Sequence, residues 1–460
     1  MYHTQFLPFG GAPVFSRLLE RITPARVIIL GFLLIILTGA LLLSLPWASR
    51  AGEWTPFLDA LFTATSATCV TGLVVYDTVQ YWSIFGQLII LILIQIGGMG
   101  VVTVAVAISM LSGRKIGLKQ RWIMQESISA PQVGGILKMT NRILRGTICI
   151  EGLGALLLAI RFVPKLGLPQ GLWYSVFHSI SAFCNAGFDL QGRSGAFSSL
   201  TGYTPDPLVN LVIIALVVIG GIGFLTWDDV TQHKWHFRSY RLQTKLVLTT
   251  TALLLALPAL FFFCYEFSRP VWAGMPLGER ILASLFQSMT TRTAGFNTVD
   301  LTQFSESSLL IMILLMLVGG SPGSTAGGFK VTTLAVLVLS AVSVFRQKGS
   351  TQAFGRRLAP EVLRSAVTIF VLYLALFLSS GILISCVDNV PLLSAIFETG
   401  SAIATVGLTL GLTPGLSALS HLVLIFLMYC GRVGGLTLIF AVVNTDRTPA
   451  QLPQERVTVG

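Results

Sequence analysis

A five-residue stretch, Cys69-Val70-Thr71-Gly72-Leu73, recurs in altered form three more times along the chain. Aligned on the glycine, the later versions read Cys184-Asn185-Ala186-Gly187-Phe188, Arg292-Thr293-Ala294-Gly295-Phe296 and Ala404-Thr405-Val406-Gly407-Leu408. The glycines lie 115, 108 and 112 residues apart, a spacing regular enough to mark internal repeats. The chemistry open to such residues is ion coordination. A dehydrated monovalent cation needs a ring of oxygen ligands with no fixed counter-charge to trap it. Backbone carbonyls can form that ring, and glycine permits the extended, carbonyl-inward backbone it requires. The candidate ligands are Val70, Thr71 and Gly72; Asn185, Ala186 and Gly187; Thr293, Ala294 and Gly295; and Thr405, Val406 and Gly407. Hydroxyls of Thr71, Thr293 and Thr405 add oxygens, and Asp77, Asp189 and Asp300, close behind three of the turns, suit a mouth that concentrates cations.

Four turns can form a ring only if each is carried to a common axis. A bulky apolar residue stands ten positions before each glycine: Phe62, Phe177, Leu285 and Phe397. The small, hydroxyl-rich segments between are too short to cross a bilayer. They read as half-membrane helices over 57–68, 172–183, 278–291 and 391–403, whose C-terminal carbonyls place partial negative charge beside the turn. Longer apolar runs flank each of them, such as 27–45 and 84–111, and a span needs about 20 apolar residues. The composition agrees: 53% of residues are hydrophobic and 11% charged, with a mean hydropathy of +0.80. The expected fold class is an all-α membrane protein of four tandem repeats, with eight spanning segments and four re-entrant half-helices. The units are 26–112, 142–228, 245–346 and 362–444, between an N-terminal arm 1–25 and a tail 445–460.

A unit of span, half-helix and span begins and ends on one side of the membrane. The lysines and arginines agree, clustering at Arg17, Arg21 and Arg26 and over 114–145, 234–245 and 346–364. These clusters follow the ends of apolar spans, so the positive-inside rule places them, and both chain termini, in the cytoplasm. An inverted-repeat transporter would alternate the charge from unit to unit. The net charge of +11 is thereby read as a basic inner face and not as a nucleic-acid surface. The first apolar run is followed by more of the same, which argues against a cleaved leader. The six cysteines are scattered without a Cys-x-x-Cys pair and read as small buried residues. His178 and Glu398, each nine residues before a turn glycine, have no convincing catalytic partner, so half-helix packing is the expected role and enzyme chemistry is not expected.

The second span of every unit is interrupted by glycine, at Gly97-Gly98-Met99-Gly100, Gly220-Gly221-Ile222-Gly223, Gly319-Gly320 and Gly431-Arg432-Val433-Gly434-Gly435. In units one and two, close helix packing explains this. In unit three the break grows to Gly319, Gly320, Ser321, Pro322, Gly323, Ser324, Thr325, Ala326, Gly327, Gly328, Phe329 and Lys330, which cannot remain a regular helix. Irregular backbone at membrane depth belongs where it is buried in protein or lines a wet cavity, so this loop is expected to gate the path just inside the turns. A phosphate loop is excluded, because Lys330 does not directly follow a glycine and no strand precedes it. Arg432 aligns with the glycine breaks. A charge at mid-span costs about 2.5–3.5 kcal/mol on insertion scales, so it should face protein or water, and at this level it can hold the loop.

These features resemble the Trk/Ktr/HKT superfamily of potassium transporters. The likeness runs through the four turns, Ile94-Gln95-Ile96-Gly97-Gly98, Ser181-Ala182-Phe183 and Thr409, and covers nearly the whole chain. A single span before the first turn resembles the KtrB-type membrane subunit of bacterial Ktr systems. The resemblance implies four M1–P–M2 repeats in one pseudo-tetrameric, potassium-channel-like pore, with K+ as the transported ion and potassium uptake across the inner cell membrane as the function. It implies no bound cofactor, with Na+ as the candidate coupling or activating ion. Glycine at all four turns is the pattern associated with potassium; the alternative is a sodium or poorly selective monovalent cation pathway, since one glycine per turn leaves fewer carbonyl rings than the Thr-Val-Gly-Tyr-Gly strand of a homotetrameric channel. The implied partners are a second copy of the chain, a cytosolic ring of RCK-type subunits that sense ATP and ADP, and membrane lipid, with no nucleic acid. The implied gate is the unit-three loop with Arg432 beneath the turns; Pro322 and the extra glycines depart from relatives.

Overall fold

The computed structural model describes residues 24–111, 117–127, 136–193, 195–234 and 236–434. Most of the N-terminal arm, the basic stretch 112–116, and residues 435–460, which hold Gly435, the end of the fourth unit and the tail, lie outside the described residues.

One element order recurs four times. A long apolar helix comes first: Pro24–Ser44, Ile136–Leu166, Leu242–Phe261 and Pro360–Asp388. On the first of these, Ile28, Phe32, Ile36 and Leu43 are buried while Leu30, Leu34 and Leu41 are exposed, so both faces are apolar. That pattern belongs to a helix with protein on one side and lipid on the other. Among the described residues, four helices are long and apolar enough to cross a membrane, and up to six if each bent pair counts as one span. The chain is a mostly helical, multi-pass membrane protein.

The short helices follow: Phe57–Cys69, Leu168–Phe183, Leu277–Thr290 and Leu392–Ile403. Each begins at a proline (Pro56, Pro169, Pro276 or Pro391) at its N-cap or first turn, where a missing N–H needs no partner. Their hydroxyl-rich faces are enclosed by protein: Thr65, Ser66, Thr68, Ser179, Ser181, Thr290, Thr399 and Ser401 are buried. Fully buried phenylalanines anchor them, Phe62, Phe177 and Phe397 as the spacing suggests. In unit three the anchor is Phe286, while Leu285 is exposed. This corrects the expected register. Unit three has one residue fewer between its anchoring phenylalanine and its glycine.

The second spans are broken, and more sharply than close packing alone requires. In units one and two the pairs Ile84–Met99 with Val101–Met110 and Pro207–Gly221 with Phe224–His233 bend by 96° and 95°. Packing and bending have one cause. Gly97, Gly220 and Gly431 lie so near their own half-helix that an added methyl would collide with the carbonyl of Thr68, Phe183 or Ile403. Three residues on, Gly100, Gly223 and Gly434 turn the backbone with φ of 85°, 89° and 93°, open to glycine and rare for other residues. Unit three instead has the helices Glu306–Leu317 and Val331–Phe345 joined by the loop 318–330.

The units close into a cycle. Trp173 Nε1 donates to Gln87 Oε1 (2.9 Å) between units two and one. The Leu200 amide donates to the Asn297 carbonyl (2.8 Å) between units two and three. Tyr429 of unit four donates to the Ile29 carbonyl of unit one (2.7 Å). All six cysteines are free; Cys69, Cys184 and Cys430 are buried as expected, whereas Cys149, Cys264 and Cys386 are exposed on the outer faces of spans.

Candidate ion pathway

The C-terminal ends of the four half-helices meet at the glycine turns. A β-carbon added to Gly72 would lie 2.5 Å from the Ala186 carbonyl oxygen, and one on Gly187 would lie 2.9 Å from the Gly295 Cα. One on Gly295 would lie 2.5 Å from the Val406 carbonyl oxygen, and one on Gly407 would lie 3.0 Å from the Gly72 Cα. The contacts therefore run from unit one to two, three, four and back to one.

The backbone at this ring is strained. Two residues before each glycine, Val70, Asn185, Thr293 and Thr405 adopt φ of 61°, 60°, 62° and 52°. Three of the four are β-branched, the class for which left-handed backbone is a true outlier, and each such residue costs on the order of 1–3 kcal/mol. Strain repeated at four equivalent positions needs surroundings that enforce it. Hydroxyls at the half-helix ends do so. The Gly72 amide donates to Ser66 Oγ and the Gly407 amide to Ser401 Oγ, both at 3.0 Å. In the other two units the hydroxyl reaches past the turn: Ser181 donates to the Phe188 carbonyl (2.7 Å) and Thr290 to the Phe296 carbonyl (2.6 Å). Among the described residues, the buried hydroxyls of Thr68, Thr71 and Thr405 have no hydrogen-bond partner.

His178 and Glu398 brace the segments that leave two turns. His178 Nε2 accepts the Leu190 amide (3.3 Å), while Glu398 accepts from Thr409, from the Leu410 amide (3.2 Å) and from Thr413 Oγ1 (2.9 Å). Their shared offset of nine residues from the glycine was the signal for this role. Asp77, Asp189 and Asp300, the acids behind three of the turns, also accept hydrogen bonds from loop backbone. Asp77 accepts the amides of Val79 and Gln80 at 3.0 Å and of Phe197 at 2.8 Å. Asp189 accepts the Gln191 amide (2.9 Å), and Asp300 the Thr302 amide (3.0 Å).

The unit-three loop lies against the turns. Its neck is closed on itself by the Gly319 amide to the Phe329 carbonyl (2.9 Å) and the Val331 amide to the Gly320 carbonyl (3.0 Å). Its far side is held by unit two. The Ser321 amide donates to the Gly221 carbonyl and the Phe224 amide to the Gly323 carbonyl, both at 2.9 Å. Thr325 Oγ1 lies 3.1 Å from the Phe183 carbonyl and 3.0 Å from Asn185 Oδ1, and Asn185 Nδ2 reaches Thr293 Oγ1 at 3.3 Å. Asn185 thus joins two turns and the loop, a link that its residue type did not announce. A β-carbon on Gly327 would meet the Thr405 side chain. Pro322 and Ser324 are half-buried, Ala326 and Gly328 are buried, and Lys330 folds back to donate to the carbonyls of Ala326 (2.8 Å) and Gly327 (3.2 Å).

Arg432 spans two breaks at once. It donates to the Thr325 carbonyl of the loop and to the carbonyls of Gly97 and, at 3.1 Å, Gly98. The unit-one carbonyls end a helix, where the Gly97 carbonyl also receives the Gly100 amide (3.1 Å), and the guanidinium adds to this cap while holding the loop. A second buried arginine, Arg292 in the third turn, reaches the Gly319 carbonyl at 3.5 Å.

The TrkH family of cation transport proteins matches residues 34–449. The chain belongs to the TrkH family. Among curated TrkH/Ktr relatives, the Ktr system potassium uptake protein B of Bacillus subtilis is 41% identical over 442 residues, spanning 96% of this chain and 97% of the relative. The potassium/sodium uptake protein NtpJ of Enterococcus hirae is 38% identical, over 97% of this chain and 99% of the relative. The potassium transporter TrkH of Vibrio parahaemolyticus shares the fold, with a TM-score of 0.72 at 19% identity, over 93% of this chain and 86% of the other. As a TrkH family member the chain is a membrane cation transporter, and the glycine ring and the loop are its candidate pathway.

Proposed function

We propose that this chain is the ion-translocating subunit of a Ktr-type potassium uptake system. The observation that carries the reading is the closed cycle of four strained glycine turns, each fed by the C-terminal end of a half-helix. Four M1–P–M2 repeats around one pseudo-tetrameric axis then give a single pore, with carbonyls of residues 70–72, 185–187, 293–295 and 405–407 as K+ ligands. Half-helix carbonyl ends and buried threonine hydroxyls favour a cation there without a fixed anion to hold it. The similar Bacillus protein is named for potassium uptake, which supports the ion assigned.

The loop from Gly319 to Lys330 is the gate, and Arg432 its latch. The guanidinium also sets positive charge beside the ion's path, where water screens poorly. The basic clusters put both termini in the cytoplasm. Control comes from a separate cytosolic RCK-type nucleotide-binding ring acting on a homodimer, a reading supported by the Ktr system names of relatives. A second reading, transport of sodium or of sodium with potassium, is favoured by the name of the Enterococcus relative, a potassium/sodium uptake protein. Potassium uptake into a potassium-starved, uptake-deficient strain, with and without sodium and against rubidium competition, separates the two. Uptake that is potassium-selective supports the first reading; equal uptake of both ions supports the second; none in a well-expressed chain counts against both.

A further inference from the structure

Away from the glycine ring, a cavity of about 340 Å³ lies between the first span of unit two and the bend in its second span. Ile143, Gly146 and Ile150 line it at helical spacing on one face of the helix Ile136–Leu166. Ile222, Phe224 and Trp227 close it from the bend. Polar groups are confined to one end, where Arg142 pairs with Asp228. Lys138 and Arg145, on neighbouring turns of that helix, are exposed beside this end. An apolar hole in a membrane-embedded wall, with a basic mouth, is complementary to an acyl chain beneath an anionic head group. Arginine has five donors, so Arg142 can hold a phosphate without releasing Asp228.

The cavity wall is also the support of the loop. The Phe224 amide donates to the Gly323 carbonyl (2.9 Å), and the Gly221 carbonyl just before the bend receives the Ser321 amide (2.9 Å). Trp227 ties the bend to its own helix by donating to the Ile219 carbonyl (2.9 Å). We infer that this cavity binds one anionic phospholipid, with an acyl chain inside and its phosphate on Arg142, and that the bound lipid braces the bend against which the loop is held. The inference rests on the orientation and gate proposed above. A lipid there stiffens the support of the loop and so shifts the balance between closed and open loop, changing flux but not ion preference.

The test uses the purified full chain, with phosphatidylglycerol as the probe. Native mass spectrometry reads retained lipid, and potassium flux is measured in vesicles of phosphatidylcholine alone or with added phosphatidylglycerol. A β-carbon on Gly146 would touch Trp227 at 3.4 Å, so Gly146→Leu fills the cavity; Arg142→Gln leaves the cavity and removes the head-group charge. Wild type should retain phosphatidylglycerol and change its flux when that lipid is added. Arg142→Gln should lower retention about fivefold, the worth of one basic residue at a membrane surface. Gly146→Leu should lose retention and the flux response together. Retention unchanged in both variants, or flux indifferent to phosphatidylglycerol in wild type, overturns the inference. Lipid retained only after residues 435–460 are removed also overturns it, since the chain's own tail would then be the occupant. Absence of potassium flux in every lipid, with retention following the variants, would instead strike the transport reading and leave the lipid site standing.

Discussion

In unit two the backbone turns through 95° at Gly223, whose φ of 89° lets the helix resume at Phe224. In unit three the residue three places after the first break glycine is Pro322, not glycine. Proline fixes φ near −65°, so the one-residue bend used by units one and two is closed to it. The close neighbours differ too: Gly220 is pressed against the Phe183 carbonyl of its half-helix, whereas Gly319 is pressed against the Gly327 carbonyl of its own loop. Unit two bends within one residue and resumes its helix at once, sharing the backbone groups of Gly220, Gly221 and Phe224 with the unit-three loop. Unit three opens into a loop whose hydrogen bonds are borrowed, from Gly220 and Gly221 of unit two, Phe183 and Asn185 at the second turn, and Arg432 of unit four. A bend with a helix directly on each side is a fixed element. A loop supported by three neighbours can be released by any of them, which is what a gate requires.

The sharpest way to break that comparison is to remove the borrowed element. Deleting residues 321–327 should raise potassium flux and weaken its dependence on a regulatory subunit, the largest effect expected; rubidium uptake in cells and in vesicles measures it. Next comes the fixed bend. Gly100→Ala forces a β-carbon onto φ of 85°, costing about 1–2 kcal/mol, and should lower thermal stability and yield without opening the path. Should it raise flux as the loop deletion does, bends and loop are not different in kind. Arg432→Ala should raise flux less than the deletion, and the double change should add little, since both act on one barrier. Arg432→Lys should fall between, because an ammonium is a compact charge that cannot spread over the loop carbonyl and the two unit-one carbonyls as the planar fork does. Smallest is Thr325→Val, which removes one hydroxyl worth about 1 kcal/mol and should raise basal flux slightly.

Much of this layout is legible in residue types and spacing. The turn glycines, the hydroxyl-rich segments before them and the prolines that begin the half-helices are local signals, and each falls in the element its chemistry demands. The break in unit three is legible because Pro322 and clustered glycines exclude a helix. The register of unit three is not, since Leu285 and Phe286 are both bulky and apolar and only packing selects Phe286. Nor are the bends at Gly100 and Gly223: a glycine in an apolar run reads equally as close packing, and the collision with the half-helix carbonyl appears only in three dimensions. Asn185 and the unit-one carbonyls that Arg432 caps are invisible for the same reason, being partners from units more than 100 residues apart. The charge of the acids behind the turns is legible in the sequence and their backbone partners are not.

The central claim divides the work, with selection at the glycine ring and release at the loop. Potassium and sodium flux measured side by side in two altered chains tests this directly. A side chain on Gly72 would press on the Ala186 carbonyl of the neighbouring turn, at a φ of 96° that only glycine readily adopts. Gly72→Ser should therefore lower the preference for potassium over sodium, by about tenfold if one favourable carbonyl contact worth roughly 1.4 kcal/mol is lost. Deletion of 321–327 should raise both fluxes in proportion and leave that preference where it was. A loop deletion that changes the preference, or a Gly72→Ser chain that keeps it at normal expression, would contradict the account.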